Sequence, residues 1–169
     1  MKIGRMVPVV LGCAALAAGA PAVRPQQSNS AMQHHHSCIE EEQASIARGE
    51  GFGMAMPADM AGYPGPRHVL DMQKELGLTA GQKAGVEKIL EAMHEKAMAR
   101  GKELFDAQAR LEQMFRDGRP EADLREQSFR VDSIHAELRW IHLSAHLAAQ
   151  KLLTPEQIAK YTRLRHEQM

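Results

Sequence analysis

The chain is predicted to be all-α: a long antiparallel helical hairpin with short flanking helices, behind a disordered N-terminal tail. Three observations carry this. Apolar side chains recur at alternating steps of four and three residues through Val86, Leu90, Met93, Ala97, Leu104, Ala107, Leu111 and Met114, interrupted only by Arg100. A second stripe runs through Leu124, Val131, Ile134, Leu138, Ile141, Ala145, Ala148 and Leu152, with Gln127 as its one polar member. A mean spacing of about 3.5 residues keeps one face against a partner along a helix, whereas a strand alternates every second residue. Between the stripes lies Asp117-Gly118-Arg119-Pro120, a break so short that the helices on either side must run antiparallel. At about 1.5 Å per residue the first helix, Ala80 to Arg116, spans roughly 55 Å and requires an equally long partner.

Composition sets the frame. In 169 residues, 44% are hydrophobic but only 4% aromatic, so one modest domain is expected, with a thin core of aliphatic side chains and methionine. Lysine plus arginine equals aspartate plus glutamate at 21 each, with no clustered basic face of the kind nucleic acid requires. Nucleic acid is therefore excluded as a partner.

Residues 1–22 read as a secretory signal peptide. Lys2 and Arg5 precede an apolar run from Val7 to Ala18, and Ala20 and Ala22 suit cleavage after Ala22. Removal of Lys2 and Arg5 leaves 19 bases against 21 acids, a mature formal charge of −2. The expected location is the periplasm. Val10-Leu11-Gly12-Cys13 offers an alternative, since it resembles a lipoprotein cleavage site, and only lipidation of Cys13 would bring the membrane in as a partner. If the leader is removed, Cys38 is the one remaining cysteine and no internal disulfide can form.

Residues 23–37 are rich in Pro, Gln, Ser, Asn and His, with almost nothing to bury, and read as a disordered tail. His34, His35, His36 and Cys38 sit there, imidazoles and a thiol that can wrap copper or zinc on flexible backbone; the alternative is a polar linker. The helical domain is placed at 38–169. Ser37 and Glu40 have capping-box spacing for a short helix to about Arg48, stopped by Gly49, Gly51 and Gly53.

Met54, Met56 and Met60 follow within seven residues. Their thioethers suit Cu(I), although methionines so placed ordinarily fill gaps in a core. Tyr63-Pro64-Gly65-Pro66 is a turn, and Pro66 then starts a helix over Arg67 to Leu76 that Gly77 ends. Leu78-Thr79-Ala80-Gly81-Gln82 opens the long helix with a capping box, in which the Thr79 hydroxyl accepts from the Gln82 amide and the Gln82 side chain reaches back to Thr79. Leu153-Thr154-Pro155-Glu156-Gln157 repeats the device at the start of the last helix, with Leu153 stapled to Ile158.

On the hairpin, His142 and His146 are one turn apart. Antiparallel pairing sets them level with Glu95 and Glu91, so Glu91, His94, His142 and His146 form a candidate zinc or copper site. The alternative is a set of boundary histidines paired with neighbouring carboxylates. No phosphate loop, nucleophile elbow or rigid Cys–His pair occurs, so no residue is assigned a catalytic role, no cofactor is required, and a non-enzymatic protein is expected.

Leu78, Thr79 and Gln82 with Leu153, Thr154 and Gln157, around a helical hairpin and behind a signal peptide, resemble the Spy and CpxP family, whose relatives include ZraP-like periplasmic metal-resistance proteins. Gly62-Tyr63-Pro64-Gly65-Pro66-Arg67-His68-Val69-Leu70 is similar to a segment seen in a branch carrying these motifs. The resemblance spans about Glu42 to Arg165. It implies a cradle-shaped homodimer that holds unfolded or misfolded envelope proteins without ATP, or that damps the periplasmic domain of a sensor kinase. The slightly acidic mature charge, and Gly85 and Gly101 inside the long helix, depart from that pattern.

Overall fold

In the computed structural model the described residues, 40–167, are helical at 40–47 (α1) and then form α2 (Met56–Met60), α3 (Pro66–Asp71), α4 (Gln73–Leu76), α5 (Ala80–Arg116), α6 (Glu121–Gln150) and α7 (Pro155–His166). No strand occurs among them. The expected leader, the tail with His34, His35 and His36, and Cys38 lie outside these residues. Helices α5 and α6, of 37 and 30 residues, pack as the antiparallel hairpin. Gly118, at φ 63°, turns the chain between them.

The seam residues Val86, Ala97, Leu104, Ala107, Ile134, Leu138 and Ala145 are buried. Both polar interruptions have partners. Arg100 reaches Glu103 at 2.7 Å and, across the hairpin, Glu137 at 3.1 Å. Gln127 is buried and its Nε2 donates to the Ala107 carbonyl at 2.8 Å. A buried amide so bonded fixes helix register where an apolar residue would only fill volume.

Toward its C-terminal end α6 departs from the expected stripe. His142, His146 and Ala149 are buried there beside the expected Ala145, while Ile141 and Ala148 are half-buried and Leu152, just past the helix, is 36% exposed. A straight helix of 3.6 residues per turn drifts about 20° per heptad from a 3.5-residue repeat, which brings the histidines inward. The expected helix over Arg67 to Leu76 is broken at Met72 (φ −98°, ψ 19°), which caps α3 and starts α4 while its own side chain is buried. Helix α2 was not anticipated from the sequence.

Two cores result. One joins Ile46 of α1 and Met54 to Ala97, Leu104, Ala107, Ile134 and Leu138 of the hairpin. The other gathers Val69, Met72, Leu76, Val86, Leu153 and Tyr161 where α3, α4 and α7 meet the hairpin's open end, with Ile158 packed against it.

Both capping boxes are formed, and they interlock. Gln82 Oε1 accepts from the Thr79 amide at 3.0 Å and Gln157 Oε1 from the Thr154 amide at 2.9 Å. The two carboxamides then face each other: Gln82 Nε2 donates to Gln157 Oε1 at 2.8 Å, and Gln157 Nε2 to Gln82 Oε1 at 3.1 Å. Their remaining N–H groups donate to the Leu152 carbonyl at 2.9 Å and the Leu76 carbonyl at 3.2 Å. Two local helix starts thereby become one tertiary clasp.

Gly85 and Gly101 mark close packing. A Cβ at Gly101 would lie 2.6 Å from Ile46 Cγ2 and 3.2 Å from the Ile46 carbonyl oxygen, on a β-branched side chain and backbone that cannot swing aside. At Gly85 the nearest atom is Leu152 Cδ1 at 2.8 Å, the free end of a partly exposed side chain. Gly101→Ala is expected to lower unfolding free energy by about 1–2 kcal/mol, because overpacking outweighs the helix-propensity gain, while Gly85→Ala raises it by up to about 1 kcal/mol. Urea denaturation of both variants checks the contrast, and a stabilised Gly101→Ala would refute the α1 packing.

Candidate functional site

Two surfaces stand out on the hairpin, one on each side. On the side covered by the N-terminal segments, glycines let the loops approach the helix histidines closely. A Cβ at Gly51 would sit 3.0 Å from His142 Nδ1, and one at Gly65 would sit 2.8 Å from His146 Cε1 and 3.5 Å from His68 Cδ2. Gly65 donates its N–H to the hydroxyl of buried Tyr161 at 3.3 Å, which ties the turn to α7. Between loops and hairpin runs a cleft of about 620 Å³, whose walls include His68, His94, His142 and His146, with Met56, Met60 and Asp59 on the α2 side.

The buried His146 ring is oriented by backbone. Its Nδ1 lies 3.0 Å from the Tyr63 carbonyl, which can only accept, so Nδ1 carries a proton and the neutral ring is the tautomer with its lone pair on Nε2. Asp59 Oδ1, itself buried without a hydrogen-bond partner, lies 3.8 Å from the same Nδ1. His142 is 3% exposed, and its Nε2 is also buried without a partner. Burial above all, then the proximity of His94 and His146, pushes the His142 imidazole down to about 4. Burial and then the Arg165 guanidinium hold His68 below its ordinary value. Both rings are therefore neutral at pH 7.

The expected set of Glu91, His94, His142 and His146 is only partly assembled. His94, His142 and His146 share the cleft, but Glu91 is exposed and lines a neighbouring depression with Glu87 and Glu95. Glu91 and Glu95 lie on a flank of α5 outside the cleft. Among the described residues no three His, Cys, Asp or Glu side chains converge as a group able to hold a metal ion. The methionines divide. Met54 is 4% exposed and fills the core, whereas Met56 and Met60 are 58% and 71% exposed on the cleft wall.

His68 and Asp59 also line the cleft, and no pattern in the sequence assigns them to it. The Gly-Tyr-Pro-Gly-Pro run before His68 was legible as a turn, but its landing point on α6 depends on Tyr63 backbone and Gly65, which leave no donor pattern in sequence. Of the motif residues, Thr79, Gln82, Thr154 and Gln157 form the clasp, while Leu153 is buried in the second core with Leu78 packed against it.

The opposite side of the hairpin is bare. Trp140, 59% exposed, stands between two shallow grooves of about 640 and 370 Å³ that share Lys96 and Ile141 and are lined solely by α5 and α6. Ile89, Ala92, Met93, Ala145 and Ala148 floor the smaller groove. Lys96, Arg100, Glu103 and Glu137 supply both signs of charge at the larger. Phe115 and Phe129 are exposed nearer the hairpin tip. Among the described residues no helix is long and apolar enough to cross a membrane.

Comparison of the chain with protein-family models, with curated proteins and with solved structures finds no match.

Proposed function

We propose that this is a non-enzymatic periplasmic protein of the Spy and CpxP type that holds apolar stretches of unfolded or misfolded envelope proteins without ATP. The observation that carries the reading is the bare hairpin face around Trp140. It is apolar along its floor, shallow, and charge-balanced at its rim. Such a surface suits weak, reversible contact with many apolar sequences more than tight capture of one partner, because little area is enclosed. A homodimer belongs to the same reading, since a pair of hairpins would enlarge the face.

Equimolar or smaller amounts are expected to suppress aggregation of a denatured test protein without ATP, followed by light scattering. Trp140→Ser should leave helicity unchanged and raise the half-suppressing concentration by about threefold or more, since an aromatic anchor supplies a large share of contact energy. Undiminished scattering at several-fold excess of the chain would remove the proposal. A second reading, an envelope copper- or zinc-binding protein, is favoured by the histidine cleft.

A further inference from the structure

Of the polar groups on the cleft, His146 Nε2 has the marks of a ligand, and the His68 ring lies beside it. In the neutral His146 ring the lone pair is on Nε2, because Nδ1–H is committed to the Tyr63 carbonyl at 3.0 Å. An imidazole that donates its other N–H to a backbone carbonyl or carboxylate is the usual arrangement around a bound metal, since it sets ring orientation and raises basicity. His68 turns its Cδ2 edge toward the same Gly65 position, with Nδ1 facing Asp71 at 3.9 Å. The two rings are thus both in van der Waals reach of one point, and a side chain at Gly65 would close it. One turn before His146, the His142 Nε2 is buried without a partner, an arrangement that costs on the order of 1–3 kcal/mol unless something satisfies it.

The remaining donors at this place are thioethers. Met56 and Met60 belong to α2, line the same cleft, and are exposed although apolar. Zinc prefers a tetrahedral shell of thiolate, imidazole and carboxylate, whereas Cu(I) accepts imidazole and thioether in low coordination numbers. We propose that the cleft between α2, α3 and α6 is a Cu(I) site, with His146 Nε2 and the His68 imidazole as nitrogen donors and the Met60 and Met56 thioethers as sulfur donors. The site is separate from the bare Trp140 face, so loss of copper binding leaves the holdase reading standing, and the reverse also holds.

The test is an anaerobic titration of the full chain with Cu(I) against a chromophoric Cu(I) chelator. His34→Ala, His35→Ala, His36→Ala and Cys38→Ser are introduced together, so that tail donors do not mask the cleft. This chain is expected to withdraw one equivalent of Cu(I), with both nitrogen and sulfur neighbours in X-ray absorption. Met60→Leu, at an exposed position where folding is safe, is expected to weaken Cu(I) binding about tenfold or more and to thin the sulfur shell, and His68→Gln to weaken it similarly. The proposal is overturned if the chelator keeps all the Cu(I), if both variants bind as tightly as their parent, or if equimolar Zn(II) blocks Cu(I) uptake.

Discussion

Gln82→Ala and Gln157→Ala are each expected to lower the unfolding free energy by about 2–4 kcal/mol, and the double variant by less than the sum, with a coupling of about 1–2 kcal/mol. Each substitution removes one arm of a capping box, which alone is worth about 1 kcal/mol. It also strips the partner carboxamide of its mate, and leaves the Leu152 or Leu76 carbonyl without the N–H it receives at 2.9 or 3.2 Å. That second loss is long-range, because the residues are 75 positions apart and tie the start of α5 to the start of α7. A double-mutant cycle from urea denaturation reads the coupling directly. Strict additivity would mean that the two glutamines act only as separate caps.

Acidification is expected to destabilise the metal-free fold by up to about 3 kcal/mol between pH 6.5 and 4, chiefly through His142. The folded imidazole is held down to about 4 from an ordinary 6.5 by burial first, and then by His94 on α5 and His146 on α6. In that window the unfolded chain binds a proton at His142 that the folded chain refuses, so stability is full above about 6.5 and falls as pH drops toward 4. His68, also lowered by burial, acts in the same direction. Denaturation midpoints measured from pH 7.5 to 4 in chelator should slope downward. His142→Leu should flatten most of that slope, and an unchanged slope in this variant would remove His142 from the account.

The sequence by itself determined the helical class, the hairpin, its turn at Asp117 to Pro120, and both capping boxes. All of these depend on contacts within a few residues or on a repeating apolar period, and such patterns are written along the chain. It also placed Gly85 and Gly101 inside the long helix as departures from the family pattern, while the reason for Gly101, an approach by Ile46, needed the fold. Only the tertiary structure decided that Gln82 and Gln157 pair with each other, that His68 and not Glu91 joins His146, and that Met54 is core while Met56 and Met60 line a cleft. Each of those depends on where a loop lands across the hairpin and on how far α6 has rotated by His142. Residues separated by 78 positions along the chain, His68 and His146, meet because one glycine between two prolines leaves room for an imidazole.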